Sequence, residues 1–263
     1  MTRNYLFLFI IFCSTLAHTQ AARVIDIASR NGVTQRILLL QPPQDSRASA
    51  AVILFAGGDG GIEISADGHI KRGGNFLVRS RALFAAQGLA VAVIDAPSDR
   101  QSPRYLDIFR QTPEHVADIK AVIAWLRQEL KLPVWLIGTS RGTQSAAYAA
   151  VQLPQTEGGG ADGMVLTSSI LADRRERPVP EMALDRIQVP VLVVHHRQDS
   201  CRSCLYADLP WLTRKLTHLK KTETLIFDGG INEGDACGPR AYHGFNGIEA
   251  EVIDKIATWI KGN

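Results

Sequence analysis

The stretch Val134-Trp135-Leu136-Ile137-Gly138-Thr139-Ser140-Arg141-Gly142-Thr143 decides how this chain folds. Its four leading apolar residues read as a strand buried on both faces, and the run from Thr143 to Gln152 reads as a helix. A G-x-S-x-G pentapeptide therefore stands at a strand-to-helix turn. The pentapeptide alone is common, but strand, sharp turn and helix in that order are what a nucleophile elbow requires. Glycines on either side of Ser140 suit a turn that strains the serine backbone and leaves no room for side chains between strand and helix. Ser140 is then expected to lift its hydroxyl above the sheet, with a helix N-terminus behind it favouring negative charge. The competing structural reading is a Gly-rich turn with an ordinary N-capping serine.

Outward from this point the chain alternates strand-like and helix-like segments. Val24–Ala28 and Val33–Leu40, separated by Asn31-Gly32, read as an opening antiparallel hairpin. Ala51–Phe55, Leu89–Ile94, Val134–Ile137, Gly163–Thr167, Val189–Val194 and Thr222–Phe227 are short apolar runs of the kind found in parallel sheets covered on both faces. Thr112-Pro113-Glu114 opens a helix whose apolar stripe runs through Val116, Ile119, Val122, Ile123, Leu126 and Leu130. A last helix shows the same stripe through Ile248, Val252, Ile253, Ile256, Trp259 and Ile260. The expectation is an α/β fold of about eight mostly parallel strands with helices on both faces, ligands binding beyond the strands' carboxyl ends.

Composition agrees with one domain. The 263 residues are 46% hydrophobic and 21% charged, enough apolar material for a large core and too little charge for a disordered chain. The net charge is +3 from 29 basic and 26 acidic residues scattered along the chain, so no footprint for nucleic acid is visible. At the N-terminus, Arg3 and the apolar run Tyr5–Cys13 form a charged leader and a core too short to span a bilayer. Small residues follow, and cleavage after Ala21 is expected. Residues 1–21 thus read as a signal peptide, and 22–263 as a single domain that is periplasmic or secreted and has no membrane attachment after cleavage. The competing reading is an uncleaved anchor. Removing Cys13 leaves Cys201, Cys204 and Cys237, an odd number for an oxidising compartment.

A serine alcohol needs a base to take its proton, and the base needs an acid to orient it. Asp199 follows the strand Val189–Val194, and His243 follows the last strand across a loop, both on the rim that carries Ser140. His195 and His196 compete, with one expected to be buried and the other to face the rim; His69, His115 and His218 default to surface or core roles. Asp185 and Asp208 are weaker acids, since neither directly follows a strand. Acyl chemistry also needs oxyanion donors. The N–H of Arg141, directly after the nucleophile, is one, and the glycine cluster Phe55–Gly61 offers the other at Gly58 or Asp59. A phosphate loop is the rival for that cluster, but it lacks both G-x-G-x-x-G spacing and any Gly-Lys-Ser/Thr.

Gly138-Thr-Ser-Arg-Gly142, Asp199 after the penultimate strand and His243-Gly-Phe before the last helix together resemble the α/β-hydrolase family over essentially the whole mature chain. The size and the His-Gly-Phe ending are similar to its dienelactone-hydrolase-like branch. The resemblance implies Ser140 as nucleophile, His243 as general base and acid, and Asp199 as the orienting carboxylate, acting on a small acyl substrate with no cofactor. Two departures keep substrate from carrying over: a serine nucleophile where that branch has cysteine, and Ala-Gly-Gly-Asp in the oxyanion loop. If the triad forms, the loops of Asp199 and His243 are neighbours, and a Cys201–Cys237 disulfide joins them, with Cys204–Cys237 as the alternative. A redox Cys201-x-x-Cys204 pair and a Cys3His zinc site with His196 or His243 are weaker readings, and no metal is expected. An inactive scaffold, an acyltransferase and a peptidase share these motifs. The 167–189 connector is too short for a large lid, and the loop Ile62–Asn75 is a candidate border of the cleft. Nothing in the sequence fixes an oligomeric state.

Overall fold

The computed structural model describes residues 22–43, 46–155 and 159–263. The segment 1–21 expected to be a signal peptide, with Arg3, Cys13 and the expected cleavage point after Ala21, lies outside the described residues.

Eight strands form one sheet: β1 (Ala22–Arg30), β2 (Val33–Leu40), β3 (Ala50–Phe55), β4 (Leu89–Ile94), β5 (Val134–Thr139), β6 (Gly163–Thr167), β7 (Val191–His196) and β8 (Thr222–Phe227). Their spatial order is β1-β2-β4-β3-β5-β6-β7-β8. The β1–β2 and β2–β4 pairs are antiparallel, and every later pair is parallel. Parallel pairing demands crossovers, and the helices that make them cover both faces. Among the described residues six α-helices lie on these faces: α1 (Phe76–Arg79), α2 (Arg81–Ala86), α3 (Pro113–Leu130), α4 (Gly142–Gln152), α5 (Leu209–Lys215) and, after the last strand, α6 (Glu249–Lys261).

The two-residue period of a strand sorts each apolar run into two cores. Ala51, Ile53 and Phe55 of β3 join the stripes of α3 and α4, whereas Val52 and Leu54 join α1, α2 and α6. Trp135 on the second face meets Trp259 of α6 edge-on at 5.5 Å. Helix α3 starts where its sequence dictates: Thr112 Oγ1 accepts the His115 N–H at 3.3 Å and Pro113 takes the first position.

Four features differ from or add to the sequence expectation. Strand β7 runs on to His196, so His195 and His196 are its last two residues, and both are buried; neither is the exposed, rim-facing histidine the sequence suggests. The short helices α1, α2 and α5 carry too few turns for a periodic signal. Between β6 and β7 the described chain makes two single 3₁₀ turns, Val179–Glu181 and Leu184–Arg186, and inserts no lid domain. The loop after β3 is pinned by Asp95 at the end of β4, whose carboxylate accepts the N–H groups of Ile62 (2.9 Å), Glu63 (3.3 Å) and Ile64 (2.8 Å). No helix among the described residues is long and apolar enough to cross a membrane.

Candidate active site

Ser140 sits between β5 and α4 at φ 52°, a left-handed conformation that costs a non-glycine residue about 1–2 kcal/mol. The surroundings enforce it. The Ser140 N–H donates to the Thr167 carbonyl (3.1 Å), and Thr143 Oγ1 donates to the Ser140 carbonyl (2.6 Å). Both flanking glycines are sterically required: a Cβ on Gly138 would stand 2.4 Å from the Gly142 carbonyl oxygen, and one on Gly142 would stand 2.1 Å from that of Phe55.

Asp199 and His243 come together from the ends of β7 and β8. Asp199 Oδ2 lies 2.9 Å from His243 Nδ1, with both side chains buried, while Oδ1 accepts the Cys201 N–H at 2.9 Å. The backbone of His243 is held in turn, its carbonyl accepting from Ser168 Oγ at 2.8 Å. With Nδ1 committed to Asp199, the ring's other nitrogen, Nε2, is buried without a protein partner. His243 lines a 230 Å³ cavity together with Ser140, Gly57, Gly58, Asp59 and Asn75. No hydrogen bond joins Ser140 to His243 in this arrangement; contacts of this kind often tighten only with substrate in place.

Arg110 lies beneath the glycine loop and is fully buried. Its Nη2 donates to the carbonyls of Ala56 (3.0 Å) and Gly58 (3.1 Å), and its Nη1 to Ser145 Oγ (2.8 Å). Burial pushes the guanidinium down to about 10, which still leaves it charged at neutral pH. In a trans peptide the N–H points opposite the carbonyl, so these bonds turn the N–H groups of Gly57 and Asp59 away from Arg110. The N–H groups of Arg141, Gly58 and Asp59 have no acceptor among the described residues. The Asp59 carboxylate is engaged by both Arg72 Nη groups, at 2.8 and 3.0 Å, which offsets a negative charge at the cavity mouth. The loop Ile62–Asn75 borders this cavity through Ile62, Arg72 and Asn75.

His115, His195, His196 and His218 have structural partners, the last through its Nε2 and the Ile187 carbonyl at 3.1 Å. His195 Nε2 donates to the Cys204 carbonyl (2.8 Å) and stands 3.6 Å from Asp199, and burial lowers its pKa. His196 Nδ1 accepts from the Gln198 N–H (3.1 Å), so Nε2 carries the proton it donates to Gly229 (2.9 Å), and the ring stacks on Tyr242 at 4.4 Å. His115 Nε2 pairs with Ser145 Oγ at 2.9 Å, and burial drives the ring down to about 3, leaving it neutral.

Cys201 and Cys237 form a disulfide across 36 residues, tying the Asp199 loop to the His243 loop. Among the described cysteines Cys204 is the free thiol, buried beside Ser140, and desolvation raises its pKa well above the ordinary range, so it stays protonated. Cys201, Cys204 and His243 offer ligand atoms within 4.8 Å of one another, but the disulfide consumes the Cys201 sulfur and leaves only the Cys204 thiol and one histidine nitrogen. This donor set does not suit zinc in the disulfide-bonded form. A larger basin of 720 Å³ lies beyond Arg141, whose guanidinium pairs with Asp173 at 2.7 Å; the 167–189 connector borders that basin and not the Ser140 cavity. Sequence reading misses Arg110 altogether, reaches Asn75 only as the end of a bordering loop and Cys204 only as a disulfide, redox or zinc candidate, because nothing local marks a buried arginine, a loop asparagine or an inert thiol as a neighbour of Ser140.

No protein-family model and no curated protein sequence matches the chain. Solved structures do. An esterase of Pyrococcus furiosus matches at a TM-score of 0.65 and 12% identity, covering 92% of this chain and 91% of its own. A thermostable carboxylesterase cloned from a metagenomic library matches at 0.60 and 18% identity, covering 94% and 92%. An α/β serine hydrolase without a lid from Xanthomonas campestris matches at 0.57 and 14%, covering 92% and 96%. At these identities the likeness is one of architecture, and with the eight-stranded sheet and its two helical layers it shows that the chain has the α/β-hydrolase fold.

Proposed function

We propose that this chain is an exported serine hydrolase that cleaves an ester or related acyl bond of a small molecule, with residues 1–21 removed as a signal peptide and 22–263 working as one domain. The observation that carries the reading is the Asp199–His243 pair, 2.9 Å apart and buried, opening onto the cavity that also holds Ser140 at its strained turn.

The chemistry follows from these atoms. Asp199 Oδ2 accepts a hydrogen bond from the His243 Nδ1–H, which leaves Nε2 as the basic nitrogen and stabilises the imidazolium once it forms. Nε2 takes the Ser140 Oγ proton as Oγ bonds to the acyl carbon, and the carbonyl electron pair moves onto oxygen. The N–H groups of Arg141 and of Gly58 or Asp59 serve that oxyanion. The imidazolium then protonates the departing alcohol, and water repeats the cycle on the acyl-enzyme. Esterases and serine hydrolases among the structural neighbours support the same chemistry. The disulfide and the apolar leader support export, because such bridges persist in oxidising compartments.

Nitrophenyl esters of increasing chain length test the reading. Wild type should hydrolyse the short members with saturable kinetics, and Ser140→Ala and His243→Ala should lose about 10³-fold or more. Folded wild type with no activity above the Ser140→Ala background would support an inactive scaffold instead.

A further inference from the structure

Asn75 precedes α1, and its Oδ1 accepts the Leu77 N–H at 3.2 Å. An N-cap needs only that acceptor, which serine, threonine or aspartate supplies as well. The amide's other half is unexplained by capping. With Oδ1 committed, the NH₂ group must face away from the helix, and it faces Gly57: a Cβ built there would lie 3.2 Å from Asn75 Nδ2 and 2.9 Å from Ser140 Cβ. Two atoms that close to one point are no more than about 6 Å apart. That is the spacing of groups that can address one reacting centre from two sides. Nδ2 donates to no acceptor among the described residues, and Asn75 lines the Ser140 and His243 cavity.

Asn75 is also held rigidly relative to His243. Arg79 of α1 donates to the Gly244 carbonyl (2.7 Å) and to Glu249 of α6 (2.9 Å), and Phe76 packs on Phe245 at 4.9 Å. A donor fixed before reaction stabilises developing charge without reorganisation.

We propose that Asn75 is a further catalytic residue, its Nδ2–H donating to the oxyanion formed at Ser140 alongside the backbone N–H groups. The inference rests on the serine hydrolase reading above. As Oγ bonds to the acyl carbon and its proton passes to His243 Nε2, the carbonyl oxygen gains the electron pair and accepts the Asn75 hydrogen bond. When the alcohol leaves, the carbonyl re-forms and the bond weakens. The step needs no group beyond this chain and its ester.

The test compares Asn75→Ser, Asn75→Asp, Asn75→Ala and Ser140→Ala with wild type in nitrophenyl ester hydrolysis, with thermal melting alongside. Serine and aspartate keep the capping oxygen and lose the NH₂ donor, so both should melt near wild type. Asn75→Ser should lower kcat about 10²-fold with KM within threefold, and Asn75→Asp should lower it further by setting a carboxylate against the oxyanion. A boronic acid mimic of the tetrahedral species should lose affinity by a similar factor in Asn75→Ser. If Asn75→Ser and Asn75→Asp turn over within threefold of wild type while Ser140→Ala is inactive, the proposal is overturned and Asn75 is only a cap, as it would be if Asn75→Ala alone lost activity and stability together. Wild type no better than Ser140→Ala overturns the hydrolase reading itself, and this inference with it.

Discussion

Breaking the Cys201–Cys237 bridge tests whether the two rim loops are held together as described. Closing a loop across 36 residues removes unfolded-state entropy worth about 4 kcal/mol in the chain-entropy treatment. For a domain of this size each kcal/mol moves Tm by about 2–4 °C, so the double variant Cys201→Ser/Cys237→Ser should melt about 8–15 °C lower. The segment released carries α5 and β8, and β8 is the last strand of the sheet, paired only with β7. His243 hangs from its far end, so the loss should reach catalysis too. At 25 °C, well below the lowered Tm, kcat should fall because Asp199 no longer has the bridged Cys201 loop behind it. Calorimetry with parallel ester hydrolysis is the assay, and wild type under reductant is the matched control, since Cys237 is exposed to it. A double variant that melts within 2 °C of wild type with unchanged kcat would refute the reasoning that this bridge pins the acid and base loops.

Other outcomes follow from single groups. Asp199→Asn keeps an oxygen for the Cys201 N–H but turns an NH₂ toward His243 Nδ1, which forces the proton onto Nε2; kcat should fall about 10⁴-fold while Tm changes little, as stopped-flow kinetics and calorimetry would show. His115 is neutral in the fold and held down to about 3, against an unfolded value near 6.5, so the unfolded chain binds the extra proton between those values. Its contribution to stability is complete above about pH 6.5 and declines as pH falls toward about 3, by up to about 1.4 kcal/mol per unit. Denaturant midpoints at pH 7 and pH 4.5 should therefore converge in His115→Gln relative to wild type.

The elbow was legible because its constraints are local: the turn needs glycine at 138 and 142, and a strand and a helix announce themselves on either side. Asp199 and His243 were singled out by a rule about strand ends, and they meet because a parallel sheet delivers the carboxyl ends of its strands to one rim. His195 and His196 show where that rule stops. Two adjacent histidines on a strand should point opposite ways, yet both are enclosed, because the Cys204 loop covers one face and Tyr242 stacks over the other. Arg110 and Asn75 were invisible for a related reason. One looks like a surface charge and the other like a loop polar residue until the chain brings them against the glycine loop and Ser140.

The most direct test of the central claim is covalent. Mature protein treated with a fluorophosphonate and analysed by peptide mass spectrometry should carry one adduct, on the peptide containing Ser140, with labelling abolished in Ser140→Ala and strongly slowed in His243→Ala. Folded wild type that stays unlabelled, or that is labelled equally well in Ser140→Ala, would contradict the assignment of Ser140 as an activated nucleophile.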